Sequence, residues 1–65
     1  MRATQKLIAL TSLGLFFMRT GDDDILNEIL QTTRKLCSQP AIADNRFAKN
    51  ALAACEMWER HLGYR

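Results

Sequence analysis

The sequence predicts an all-α protein, a small three-helix bundle. In two segments the apolar residues recur every three or four positions, and a third segment is apolar on nearly every side. Residues that end helices, Gly21, Pro40 and Gly63, stand between or after these segments. A chain of 65 residues makes one small domain. We therefore predict a single helical domain over 1–65, with an antiparallel helical hairpin over 22–62 and an apolar N-terminal helix.

The segment 44–62 is the predicted organising helix of the bundle. Its apolar stripe consists of Phe47, Ala51, Ala54, Cys55, Trp58 and Leu62. Trp58, the only tryptophan, supplies the largest single apolar surface in the chain. Lys49, Glu56 and Arg60 lie on the opposite side of the helix, which faces solvent. The core residues predicted from this helix are Phe47, Ala51, Cys55, Trp58 and Leu62.

The N-terminal helix, predicted over 5–19 with Thr4 as its N-cap, has few polar residues. Its large apolar residues are Leu7, Ile8, Leu10, Leu13, Leu15, Phe16, Phe17 and Met18. A helix that is apolar all round must be covered all round, yet a helix in a three-helix monomer shows one side to water. The residues predicted to contact a second copy or another protein are Ile8, Leu10, Leu13, Leu15, Phe16 and Phe17. Gly14 is interpreted as a tolerated helical glycine, and the alternative is a point of close approach between helices.

The same N-terminal run has features of an export signal. Arg2 and Lys6 precede an apolar run over 7–17, as in a signal peptide. However, no small-x-small cleavage site follows, and the run is shorter than the roughly 20 residues that a membrane-spanning helix needs. The sequence therefore favours a core or interface helix, and an exported or membrane-associated small protein stays as an alternative.

The segment 22–37 predicts an amphipathic second helix. Ile25, Ile29 and Leu36 are its predicted core residues, and Arg34 and Lys35 lie in its last turns, where the helix dipole favours positive charge. Three aspartates at 22–24 could bind a hard cation, but the ligand spacing of an EF-hand is missing. We therefore expect these aspartates to cap the helix.

Glycine, proline and capping residues mark the ends of the helices. Gly21 can adopt the left-handed backbone conformation that ends the first helix, and Gly63 is expected to end the last helix. Pro40 stops the second helix, and 41–43 could form an extra turn. Asp44 or Asn45 is expected to cap the last helix.

No residue pattern indicates catalysis or a cofactor. Cys37 and Cys55 are too far apart in the predicted hairpin for a disulfide, which indicates two buried free thiols in a reducing compartment. His61 is the only histidine, no CxxC is present, and no glycine-rich phosphate loop occurs. Cys55 and His61 point in different directions on one helix, so a nucleophile–base pair is not expected. We predict no enzyme activity, no metal site and no cofactor.

The predicted function is a non-enzymatic protein–protein interaction module in the cytoplasm. Such a module would be a bacterial or phage regulator, adaptor or chaperone-like subunit that forms a homodimer or docks on a protein partner through apolar helix surface. A net charge of +2 argues against nucleic acid as a partner. A small nucleic-acid-binding transcriptional regulator is the alternative, because Arg34, Lys35, Arg46 and Lys49 could form a basic patch. The sequence also argues against a membrane partner.

Overall fold

The computed structural model describes residues 2–63, which form four helices. Helix α1 covers Ala3–Thr20, α2 Asp23–Cys37, α3 Pro40–Ala43 and α4 Arg46–Leu62. The three long helices α1, α2 and α4 all pack against one another, and α3 is a short turn of helix that joins α2 to α4. This arrangement confirms the predicted all-α bundle, and the predicted bounds of the long helices differ from the observed ones by no more than two residues.

Local chemistry sets most of the helix ends. Gly21 and Gly63 adopt left-handed backbone with φ of 80° and 84°, a conformation in which a side chain would be strained. The Asp22 carboxylate accepts a hydrogen bond from the backbone N–H of Ile25 at 3.3 Å. The Asn45 side-chain oxygen accepts one from the N–H of Phe47 at 2.8 Å. The prediction that an aspartate caps α2 is therefore confirmed for Asp22, and of the two candidates Asp44 and Asn45 it is Asn45 that caps α4.

The prediction that Thr4 caps the first helix was wrong. Helix α1 begins at Ala3, and Arg2 stands at the N-cap position without a side-chain cap bond. The Thr4 hydroxyl oxygen instead accepts a hydrogen bond from Nδ2 of Asn45 at 3.0 Å. Asn45 therefore caps α4 with its oxygen and ties the start of α1 to it with its nitrogen.

The core consists of two neighbouring clusters of buried side chains. The first contains Leu7, Cys37, Ile42, Ala48 and Ala51. The second contains Leu26, Ile29, Leu30, Cys55 and Trp58. Thr33 is also fully buried, and its hydroxyl donates a hydrogen bond to the backbone oxygen of Ile29 at 2.7 Å, so the buried polar group has a partner.

Most of the predicted core residues lie where they were expected. Ile29, Ala51, Cys55 and Trp58 are buried. Three others are partly buried and pack against the two clusters: Leu36, Phe47 and Leu62. Ile25 is the exception, because its side chain is 37% exposed. It lies in the first turn of α2, directly after the short turn that follows α1, at the end of the helix where fewer residues can cover a side chain.

Gly14 is a point of close approach between α1 and α4. A Cβ atom placed on Gly14 would lie 2.1 Å from Cζ2 of Trp58, far inside van der Waals contact. The indole of Trp58 is 0% exposed, so it packs directly on the glycine backbone. The interpretation of Gly14 as merely tolerated was therefore wrong: its missing side chain makes room for the largest residue of the core.

Candidate interaction surface

Helix α1 exposes several large apolar side chains. The exposed fraction is 47% for Ile8, 47% for Leu13 and 57% for Phe16. Leu15 is partly buried, and Leu10 and Phe17 pack partly against the second core cluster. Of the six residues predicted to bind a partner, three therefore lie open to solvent and two face mainly inward.

The orientation of α1 follows from which of its residues meet the other helices. The inward stripe is Ala3, Leu7, Leu10, Gly14 and Phe17, at alternating spacings of four and three. Leu13 and Phe16 lie on one flank of this stripe, and Ile8 and Leu15 lie on the other flank. Both flanks of this helix are therefore apolar. The bundle covers the stripe between them, Met18 beside it and part of Leu15, and it leaves Ile8, Leu13 and Phe16 exposed.

An open apolar groove lies between α1 and α2. Its volume is about 390 Å³. Its apolar lining consists of Ala9, Leu10, Leu13 and Leu36, and its polar lining of Lys6, Thr32, Lys35 and Gln39. Ile25 lies on the same stripe of α2 as Thr32 and Leu36, seven and eleven residues earlier. We call the groove, together with Phe16 and Ile25, the α1/α2 face.

The α1/α2 face is basic at one end and acidic at the other. Lys6 and Lys35 border the groove near the start of α1 and the end of α2. Glu28 lies seven residues before Lys35 on the same side of α2, and beyond it lie Asp24, in the first turn of α2, and Asp22, the N-cap of that helix. All of these side chains except Asp22 are exposed, and no ion pair joins any of the five to another residue within 2–63.

Other charged residues are engaged within the bundle. The guanidinium of Arg34 forms an ion pair with the Glu59 carboxylate and so links α2 to α4. Nε2 of His61 lies 3.4 Å from Oδ1 of Asp23, which forms an ion pair when the imidazole is protonated. These pairs join residues far apart in the sequence, and reasoning from helical periodicity gave no signal for them.

Both thiols are free and buried. The Cys37 thiol lies 3.8 Å from the backbone oxygen of Ala48 as a weak donor. Burial raises the pKa of the Cys55 thiol to about 11, and this effect outweighs the nearby Arg34 guanidinium, which lowers it. Burial likewise raises the pKa of Cys37. A thiol held in its protonated form is a poor nucleophile and a poor metal ligand. Within 2–63, no group of three or more His, Cys, Asp or Glu side chains is placed to hold a metal ion.

Comparisons of the chain with protein-family models, with curated proteins and with solved structures found no match. In the described part of the chain, no helix combines the length and the apolar character that crossing a membrane requires. The fold and the surface together define a small all-α bundle with a half-open apolar face between α1 and α2.

Proposed function

We propose that this chain is a non-enzymatic protein–protein interaction module that binds its partner through the α1/α2 face. One observation carries the proposal: Leu13 and Phe16 are about half exposed beside an apolar groove. Contiguous exposed apolar surface in a small soluble domain marks an interaction site more often than a solvated face does. Isolated exposed apolar residues are common on protein surfaces. Here the exposed Leu13 and Phe16 adjoin an apolar groove and form one continuous surface with it.

Covering this face would contribute apolar transfer free energy to a contact with a partner. Removing a large apolar side chain fully from water contributes about 1.5–3 kcal/mol of gross transfer free energy. Phe16, Leu13 and the groove lining together offer several such contributions, of which the entropy of association offsets a large part. Exposed aromatic residues beside a pocket are typical anchors of protein interfaces.

The remaining chemistry supports a binding role over a catalytic one. The two thiols are buried, which raises the pKa of each and makes them poor nucleophiles, and His61 lies close to Asp23. Free cysteines also suit a reducing compartment, so we place the module in the cytoplasm. A regulator, an adaptor or a chaperone-like subunit would each use such a face.

Nucleic acid suits the face less well than protein does. The phosphate backbone requires a continuous positive surface. Lys6 and Lys35 are separated from each other by an apolar groove, and Arg34 is occupied by Glu59. The opposite end of the face, with Glu28 and Asp24, would repel phosphate.

Photo-crosslinking in the native host tests the proposal. A photoreactive phenylalanine analogue replaces Phe16 in one variant and Lys49, which is exposed on α4, in the control variant. We expect discrete protein adducts from position 16 and none from position 49. Either a homodimer adduct or an adduct with another protein supports the proposal, because both are protein contacts at this face. Equal adducts from both positions, or none from position 16, would overturn it.

A further inference from the structure

We propose that the α1/α2 face binds a second copy of this chain across a two-fold axis, with each Phe16 seated in the groove of the other copy. The inference rests on the proposed function and names its partner. The face carries its own electrostatic complement, because its two ends bear opposite charges.

The register between α1 and α2 fixes where the charges lie along the face. Residues 6–13 of α1 and 32–39 of α2 line the same groove, and the two helices run in opposite directions. Leu13 therefore lies at the level of Thr32, and Lys6 at the level of Gln39. Continuing along the helices, Phe16 lies near the level of Ile29, and Thr20 near the level of Ile25.

Opposite charges come together when the two-fold axis lies in the plane of the face and runs perpendicular to α1 and α2. If the axis passes at the level of Leu13 and Thr32, Lys35 and Glu28 lie on either side of it, each about 5 Å away along α2. Rotation then sets Lys35 of each copy opposite Glu28 of the other. It also brings Lys6 to the partner's turn, where Asp22 and Asp24 lie. An axis parallel to the helices would instead set basic ends against basic ends, so the charges select the antiparallel arrangement.

The same rotation gives each Phe16 a place to bind. Phe16 lies about one helical turn from the axis, towards the acidic end of its own face. After the rotation its ring contacts the partner about one turn from the axis, towards the basic end of the partner's face. That position is occupied by the groove, between Leu10 and Leu36. In the single chain the Phe16 ring contacts Phe17 edge-on, with centroids 5.1 Å apart, and is otherwise largely open to solvent. The dimer would therefore fill both grooves with both exposed rings.

Charge reversal tests the register of the dimer. Sedimentation of the full chain at tens of micromolar should show a species of twice the 7.4 kDa monomer mass. Lys35→Glu and Glu28→Lys should each weaken the dimer by about tenfold, because each variant creates two like-charge contacts. The double variant restores both contacts with reversed signs, so its Kd should return to within about threefold of the parent value.

The chain offers a matched control on α4. Lys49 and Glu56 are also seven residues apart and exposed, but they lie away from the α1/α2 face. Lys49→Glu, Glu56→Lys and their combination should leave the dimer unchanged. A parent that stays monomeric, or single reversals that the double variant does not rescue, would overturn the proposed dimer. A monomeric parent that still forms position-16 adducts with another protein would overturn the dimer alone and leave the proposed function in place.

Phe16→Ala tests the seating of the ring. Because Phe16 is 57% exposed, the variant should keep the helical spectrum and melting behaviour of the parent. Its dimer should be weaker by at least about thirtyfold, since each dimer loses two anchors. Ile8→Ala, which removes an apolar side chain of similar exposure (47% against 57%) from the other flank of α1, serves as the control and should dimerise like the parent. Equal dimerisation of Phe16→Ala and the parent would contradict the proposal.

Discussion

At the scale of single residues, the contact between Trp58 and Gly14 determines how closely α1 can approach α4. The indole is fully buried and occupies the space that a side chain at position 14 would need. The indole N–H has no hydrogen-bond partner among the described residues. Leaving such a donor unpaired costs about 1–3 kcal/mol, so shape and apolar burial, not hydrogen bonding, hold Trp58 in place.

Gly14→Ala should destabilise the protein despite the higher helix propensity of alanine. Propensity alone would favour alanine by up to about 1 kcal/mol. The added methyl group overlaps the rigid, fully buried indole of Trp58, which should cost about 1–3 kcal/mol net. Ser12→Ala, on the exposed side of the same helix, is the control and should leave stability equal or slightly higher. Denaturant unfolding followed by far-UV circular dichroism measures both variants, and a Gly14→Ala protein as stable as the parent would contradict the close contact.

The Cys55 thiol should make stability fall at alkaline pH. Burial raises its pKa from the ordinary 9.0 to about 11 in the folded state. A raised folded-state pKa stabilises the protein fully below pH 9.0, and this contribution is lost as pH rises towards about 11. The free energy of unfolding should therefore decline more steeply across this range in the parent than in Cys55→Ala. Parallel pH profiles for the two proteins would show that the thiol does not titrate as described.

At the scale of elements, α1 is the helix whose orientation matters most. Leu7 is 1% exposed and its neighbour Ile8, about 100° further round the helix, is 47% exposed, so this pair shows which side of α1 faces the core. Leu7→Ala should destabilise the protein by about 2–4 kcal/mol, because it leaves a cavity in the first core cluster. Ile8→Ala should cost well under 1 kcal/mol. Thermal and denaturant unfolding distinguish the two variants, and similar losses from both would mean that α1 is rotated.

The junction between α3 and α4 depends on Asn45. Its side chain both caps α4 and donates to Thr4, so Asn45→Ala removes two hydrogen bonds. We expect a loss of about 1–2 kcal/mol in the free energy of unfolding. Asp44→Ala is the control, because Asp44 is exposed and does not cap α4 with its side chain. If the Asp44 variant were the less stable one, the assignment of the cap would be wrong.

At the scale of the whole molecule, the three long helices depend on one another. The second core cluster receives Leu10, Phe17 and Met18 from α1, and Trp58 packs on Gly14. A chain that lacks residues 1–17 should therefore be largely unfolded in far-UV circular dichroism, whereas the intact chain melts cooperatively. A shortened chain with the helical content and cooperative melting of the rest of the bundle would show that 1–17 is dispensable for folding, as expected of a removable signal.

The sequence by itself determined the helices and most of their ends, the start of α1 being the exception. The apolar spacing in 22–62, the left-handed Gly21 and Gly63, and the caps at Asp22 and Asn45 are local features, and each acts within a few residues along the chain. A helix that is apolar on nearly every side, by contrast, does not specify which side faces inward. Only the packing of α1 against α2 and α4 decided that Leu7 is buried and that Phe16 is exposed.

Tertiary structure alone also decided the contacts between distant residues. The Arg34–Glu59 and His61–Asp23 pairs, the Asn45–Thr4 hydrogen bond and the packing of Trp58 on Gly14 all join different helices. Ile25 shares the apolar stripe of α2 yet lies open, because burial requires a neighbouring side chain as well as the right periodicity. The periodicity of apolar residues describes one helix at a time. These contacts depend on the rotation and register of two helices relative to each other, and these are set by how their side chains pack together.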